Sequence, residues 1–148
     1  EQVLHPEKHW DPEQRDEPTT LEAFRLLPVL GKKWKRAASG NLGELVIGVM
    51  VGVPTPSGVG AMSMPDGADW TNEAATGWDG DRWELWRRKD STVVLLSTVW
   101  DSPQDAREFA DALDPGAGFA SRVLDDRVAI VAGDAGKHAD ALLDVLLR

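Results

Sequence analysis

The feature that most constrains the fold is a strand pattern between residues 82 and 100. Residues 82–87 alternate in polarity, which places Trp83 and Trp86 on opposite faces of a strand. Residues 92–100 are almost continuously apolar, which is typical of a central strand that is covered on much of both faces. The polar run 88–91 lies between them and is typical of a turn. The pattern therefore predicts an antiparallel hairpin.

A helix is predicted directly after this hairpin. Ser102 is a typical N-cap, Pro103 suits the first helical position, and Asp105 lies near the positive end of the helix dipole. Four apolar side chains form the predicted buried stripe of this helix: Ala106, Phe109, Ala110 and Leu113. Pro115-Gly116 is expected to end it.

A second hairpin and a terminal helix complete the C-terminal pattern. The predicted strands are 119–124 and 127–132, with a turn at Asp125-Asp126. Asp134 is predicted to cap the last helix. Its buried face is predicted to hold Ala139, Leu142, Leu143 and Leu146. The order β-β-α-β-β-α, in a chain of 148 residues, predicts a single α+β domain with helices packed on an antiparallel sheet.

The N-terminal half is less regular. Residues 1–20 are polar and contain three prolines, so we expect an extended arm, and residues 21–148 should form the α+β domain. A short helix is predicted to begin at Thr19 or Thr20 and to stop before Gly31, and residues 34–38 are predicted to form a strand.

Residues 42–51 fit two interpretations. Asn41 resembles an N-cap, with Glu44 three residues later, and one helical face would hold Leu42, Leu45, Val46 and Val49. The run 46–51 is rich in β-branched residues, which leaves a strand as the alternative, although the spacing favours the helix. Residues 54–65 predict a flexible loop, and residues 70–75 a short helix that ends at Gly77.

Composition excludes several classes of protein. The net charge of −9 argues against nucleic acid as a partner. The basic cluster Lys32, Lys33, Lys35 and Arg36 is interpreted as a solvated turn. The absence of cysteine excludes disulfides and thiolate catalysis. No apolar run is long enough to span a membrane, no signal peptide is visible, and a start at Glu1 suggests a processed chain or a fragment.

Candidate sites are few. His5 and His9 have helical i, i+4 spacing, but Pro6 favours extended backbone at His5 and no third metal ligand is evident. Asp79-Gly80-Asp81 begins like a calcium loop, yet the next ligand position is occupied by Trp83. A tight turn is the preferred interpretation, with positive φ at Gly77 and Gly80.

The seven tryptophans allow two interpretations. They could line a groove for sugars or peptides. The preferred interpretation is that Trp78, Trp83 and Trp100 fill the core between the sheet and the helices, because aromatic side chains dominate the packing of small domains.

Three segments resemble a known family. Residues 1–8 (EQVLHPEK) resemble a TEQxLHPEKY segment, residues 42–45 (LGEL) an LGEL element, and residues 77–82 (GWDGDR) a GWGGDR segment. In this order they resemble the C-terminal half of uncharacterised exported bacterial and haloarchaeal proteins. Where that family tends to have Tyr, this chain has His9 and Trp10, and Asp79 replaces a Gly.

The resemblance implies an upstream half with an HExxH helix, similar to gluzincin-type zinc metallopeptidases, in which two histidines and a glutamate hold zinc. None of that constellation is in this chain. The resemblance thus implies a non-catalytic structural or substrate-positioning domain of a larger exported metallopeptidase-like protein, outside the cytoplasm. The upstream half of the same polypeptide would then be its partner.

The alternatives are a stand-alone module that binds a peptide or glycan through a Trp-rich surface, and a self-contained hydrolase that uses Asp79, Asp81 and Arg82. We predict no catalytic residue, no metal ligand and no cofactor in this chain. The candidate ligand- or partner-binding residues are Trp78, Asp79, Asp81, Arg82 and His5.

Overall fold

The fold is described from a computed structural model, which describes residues 17–52, 72–114 and 118–148. Within these ranges five strands form one antiparallel sheet of order β1-β2-β3-β5-β4. The strands are β1 (Lys35–Gly40), β2 (Trp78–Arg88), β3 (Ser91–Trp100), β4 (Phe119–Leu124) and β5 (Arg127–Gly133). The predicted α+β class, with helices packed on an antiparallel sheet, is confirmed.

The helices of the described segments are short. They are α1 (Leu27–Leu30), α2 (Glu44–Met50), α3 (Pro103–Ala112) and α4 (Ala139–Leu146), with 3-10 turns at Glu73–Ala75 and Gly136–His138. None of these helices is long and apolar enough to cross a bilayer. The predicted flexible loop 54–65 lies outside the described residues.

Two apolar clusters lie on opposite faces of the sheet. The α4 face buries Leu26, Leu30, Trp34, Trp86, Val93, Leu95, Val131 and the leucines of α4. The α3 face buries Ile47, Trp78, Leu96, Trp100, Phe109, Val128 and Ile130. Trp100 stacks on Phe109 with ring centroids 4.8 Å apart. Because alternate side chains of β3 enter both clusters, this strand is central, as its apolar run predicts.

Both predicted hairpins are confirmed. β2 pairs with β3 and β4 pairs with β5, and the two turns place Lys89 and Asp125 at a φ of 52°. The first helix of the C-terminal pattern is confirmed as well. The Ser102 hydroxyl accepts the Asp105 N–H, and Ala106 and Phe109 are buried. Local signals were sufficient here because each turn or cap involves residues close in sequence.

The predicted helix at Thr20 is wrong. Residues 17–26 have no regular secondary structure, and the helix begins at Leu27 with Pro28 in its first turn. Proline is tolerated there because the first N–H groups of a helix have no partner within the helix. The prediction that Asp134 caps the last helix is also wrong. The Asp134 carboxylate accepts the Thr92 N–H at 2.8 Å, and α4 begins at Ala139 without a side-chain cap.

The turn predicted around Gly80 is a strand instead. β2 begins at Trp78 and has an irregularity in its pairing with β3 between Trp78 and Gly80. Gly77 has the expected positive φ of 79°, whereas Gly80 does not have one. Gly80 is required for a different reason, since a Cβ at this position would overlap the Thr19 carbonyl oxygen.

Residues 44–50 form the favoured helix, but the predicted buried face is wrong. Ile47 is fully buried, whereas Leu45, Val46 and Val49 are exposed. The predicted Asn41–Glu44 capping box is absent, and the N-cap is Gly43 without a side-chain bond. The helix is oriented by its attachment to β2, described below, rather than by its most apolar stripe.

Two substitutions on α2 test this orientation. Ile47→Ala should lower the free energy of unfolding by about 2–5 kcal/mol, because it leaves a cavity in the α3-face cluster. Val49→Ala, on the same helix with a 63% exposed side chain, should change it by less than about 0.5 kcal/mol. Urea denaturation of both variants measures the difference, and equal losses would contradict the described orientation.

Candidate functional site

The candidate residues Trp78, Asp79, Asp81 and Arg82 lie together in the first half of β2, but they do not line one cavity. Trp78 and Asp81 face the α3 side of the sheet, with Trp78 in that apolar cluster. Arg82 faces the opposite side, next to Glu84. His5 lies outside the described residues. The candidate residues of the described part of the chain therefore share one strand, and the pleat of that strand places their side chains on two opposite faces of the sheet.

Asp81 attaches the start of α2 to the sheet. Its side chain is inaccessible to solvent, and its two carboxylate oxygens accept the Leu42 N–H at 2.7 Å and the Gly43 N–H at 2.8 Å. The Asn41 amide donates to the Asp81 backbone carbonyl. Asp81 thus bonds to residues about 40 positions earlier in the chain, and not to its own turn as the sequence suggested.

Burial raises the pKa of the Asp81 carboxyl above its ordinary value, since the charged form loses solvation. The Gly43 and Leu42 N–H groups and the Trp78 indole oppose this by favouring the charged form. The indole acts without a well-formed bond, because within the described residues Trp78 Nε1 has no hydrogen-bond partner of normal geometry. Both carboxylate oxygens are therefore satisfied by the backbone at the start of α2, as is usual for a buried polar group.

Glu84 forms a larger polar cluster on the other face. Its carboxylate is fully buried. It accepts hydrogen bonds from the Arg82 Nε at 3.0 Å, the Trp86 Nε1 at 2.8 Å and the Phe24 backbone N–H at 3.2 Å. Arg36 of β1 forms an ion pair with it at 3.1 Å. One carboxylate therefore joins β1, β2 and the segment that precedes α1.

Sequence reasoning did not select Glu84 as a site residue. The available signal was its position two residues from both Arg82 and Trp86, which places all three side chains on one face of a strand. A glutamate flanked in this way, on a face that buries a tryptophan, needs cationic or N–H partners. Arg36 and Phe24 come from distant segments, and no local pattern identifies them.

Asp79 holds the segment before α1 against the sheet. Its carboxylate accepts the Thr19 hydroxyl at 2.5 Å, and its backbone carbonyl accepts the Thr19 N–H at 2.5 Å. Thr19 passes directly over Gly80, where only a hydrogen atom leaves enough room. We call this contact the Thr19–Asp79 clasp.

A groove of about 760 Å³ lies between residues 20–29 and α4, with Phe24, Val29 and Val145 among its apolar walls and Arg25, Arg127 and Asp144 among its charged ones. In the described parts of the chain, no group of three or more His, Asp or Glu side chains is arranged to hold a metal ion.

These observations define an α+β domain whose internal carboxylates bond to its own backbone and side chains. The chain belongs to the family described as a domain of unknown function, DUF8575, whose sequence profile matches residues 29–143. The matched range contains Asp79, Asp81, Arg82 and Glu84 but not Thr19 or Phe24. No curated protein and no solved structure gives a significant match.

Replacing the Glu84 carboxylate tests its structural role. Glu84→Gln should lower the free energy of unfolding by about 3 kcal/mol, because the largely buried Arg82 loses the charge that compensates its burial and Arg36 loses its ion pair. The control is Asp144→Asn, which removes an exposed acceptor of Arg122 and should cost less than about 1 kcal/mol. A Glu84→Gln loss no larger than the control loss, measured by denaturant unfolding, would contradict the assigned role.

Asp81 generates a prediction about pH. Since its pKa is higher in the folded protein than the ordinary 3.8, its contribution to stability is fully present below that value and is lost as the pH rises through the folded pKa. The stability difference between the natural protein and Asp81→Asn should therefore shrink as the pH rises from below 3.8. Carboxyl NMR measures the titration directly, and a midpoint at or below 3.8 would contradict it.

Proposed function

We propose that this chain is a non-catalytic structural or substrate-positioning domain of a larger exported metallopeptidase-like protein. The observation that carries the proposal is the attachment of the first described segment to β2. Thr19 is held by Asp79, and five residues later the Phe24 N–H is held by Glu84. From Thr19 onward the chain that leads into α1 is therefore fixed to the sheet.

The use of the buried carboxylates supports a non-catalytic role. Asp81 accepts two backbone N–H groups, and Glu84 accepts donors from its own strand, from β1 and from the segment before α1. A general base must be able to accept a proton from a substrate. Either residue would have to give up bonds that hold the fold together, so both are better suited to structure than to turnover.

The upstream catalytic half and the location outside the cytoplasm rest on the resemblance of residues 1–8, 42–45 and 77–82 to exported proteins with an HExxH segment. The alternative, a peptide- or glycan-binding module with a Trp-rich surface, receives less support. Trp34, Trp78, Trp86 and Trp100 are buried, and Trp83 packs on the α3-face cluster. In the described part of the chain these rings contribute to the core rather than to a ligand surface.

The proposal is tested by comparing the isolated chain with the full-length protein from which it comes. The full-length protein should contain zinc, measured by elemental analysis, and should hydrolyse a fluorogenic peptide library. The isolated chain should do neither. Zinc and turnover in the isolated chain would contradict the proposal, as would their absence from the full-length protein.

The positioning role has its own variant. In the full-length protein, Thr19→Val removes the hydroxyl that binds Asp79 while it keeps the size of the side chain. We expect lower kcat/KM with unchanged zinc content, because the two halves lose their fixed orientation. Asp90→Asn, in the exposed turn between β2 and β3, is the control and should leave kcat/KM unchanged. If both variants had the same kcat/KM, the positioning role would be contradicted, and the Thr19–Asp79 clasp would contribute only to the stability of this domain.

A further inference from the structure

Seven basic side chains gather at one end of the sheet in a chain whose net charge is −9. They come from the turn before β1, from β1 itself, from the end of β2 and from the turn that follows it. All seven are exposed: Lys32, Lys33, Lys35, Arg36, Arg87, Arg88 and Lys89. We call this surface the basic end. The sequence showed only its first four members, which were interpreted as a solvated turn.

Strand pairing brings the two halves of the basic end together. β1 runs antiparallel to β2, so Lys35 lies directly opposite Arg87, and Arg87 in turn lies opposite Thr92 of β3. Like charges directly opposite each other on a sheet are destabilising. Within the described residues, Arg36 is the one member that forms an ion pair, with Glu84. Arg88 lies over the Trp34 ring, 5.2 Å from its centroid.

A partly exposed apolar row lies beside the cations. Ala38, Leu85, Val94 and Ala132 are successive cross-strand partners and therefore share the α3 face of the sheet. Val94 is 40% exposed, although the rest of β3 from Val93 to Trp100 is buried. The cluster under α2 and α3 involves Trp78, Leu96 and Trp100, nearer the other end of these strands.

β1 is also an edge strand. Among the described strands it pairs with β2 alone, and five of its six residues are exposed. An edge strand presents unpaired backbone N–H and C=O groups that can pair with another extended chain. Residues 37–40 are small, so little side-chain bulk obstructs that edge. The cations deter pairing with a basic strand and favour an acidic one.

We infer that β1 binds an extended acidic peptide segment, which adds to the sheet edge as a further strand. Because side chains of a strand alternate between the two faces of a sheet, the peptide's carboxylates would lie on the α3 face against Lys35 and Arg87, which are cross-strand partners, and its apolar side chains would lie on the opposite face. A segment of six residues spans about 20 Å, which is the length of β1. This inference does not depend on the proposed function.

The charge distribution favours a short peptide over a larger polyanion. Outside the basic end the chain has nine basic residues against a total of 25 acidic ones. A nucleic acid or an anionic bilayer would extend across that acidic surface and be repelled by it. A peptide can match the cations of β1 and still gain backbone hydrogen bonds, which the other two polyanions cannot supply.

The test uses the folded chain and a fluorescein-labelled peptide of alternating Glu and Val. Fluorescence anisotropy should show saturable binding that weakens with salt. Lys35→Glu with Arg87→Glu should weaken binding by about tenfold or more, since two attractive contacts become repulsive. The matched control reverses two exposed cations elsewhere, Arg107→Glu with Lys137→Glu, and should leave affinity within about twofold. Circular dichroism confirms that both double variants are folded.

Two further probes separate strand addition from simple charge attraction. The same peptide with N-methylated valines keeps its charge but loses backbone donors, and it should bind much more weakly. Heparin and phosphatidylserine vesicles should bind no better than the peptide at equal charge concentration. The inference would be overturned if the Glu-Val peptide did not bind, or if the methylated peptide bound with equal affinity. It would also be overturned if either polyanion bound more tightly than the peptide, or if both double variants lost affinity equally.

Discussion

The structure depends on a fully buried carboxylate, that of Glu84, on the α4 face of the central hairpin. A buried charge is costly unless oppositely charged and hydrogen-bonding groups surround it. Here the compensation comes from Arg36, Arg82, Trp86 and the Phe24 backbone. Because these groups belong to different segments, satisfying one carboxylate fixes the relative positions of β1, β2 and the chain before α1.

Asp81 has the corresponding role on the other face. It binds the backbone at the start of α2 and thereby decides which side of that helix meets the sheet. In this orientation of α2, Ile47 lies in the core and Val49 is exposed to solvent. The Thr19–Asp79 clasp adds a third attachment to the same strand. β2 therefore organises the N-terminal half of the fold through polar side chains, whereas β3 organises the core through apolar ones.

This division explains how much could be predicted from the sequence. The two hairpins and α3 follow from local patterns, such as the apolar run of β3 and Ser102 at the start of α3, because their partners are close in sequence. The orientation of α2 could not be predicted, since the most apolar stripe of its sequence is the one left exposed. The partners of Asp81 and Glu84 are 38 or more residues away, with the exception of Arg82 and Trp86. Arg87 likewise joins Lys35 only through the pairing of β1 with β2.

Asp79 and Asp81 thus hold distant segments of the fold together, as Glu84 does, in a chain that belongs to a family of unknown function. Native-state hydrogen exchange tests this central claim most directly, because it reports the stability of each amide separately. The account predicts that the amides of Phe24, Leu42 and Gly43, which donate to Glu84 and Asp81, exchange with free energies close to that of global unfolding. Rapid exchange at these three amides, while those of β3 stay protected, would show that the carboxylates are peripheral and would contradict the account.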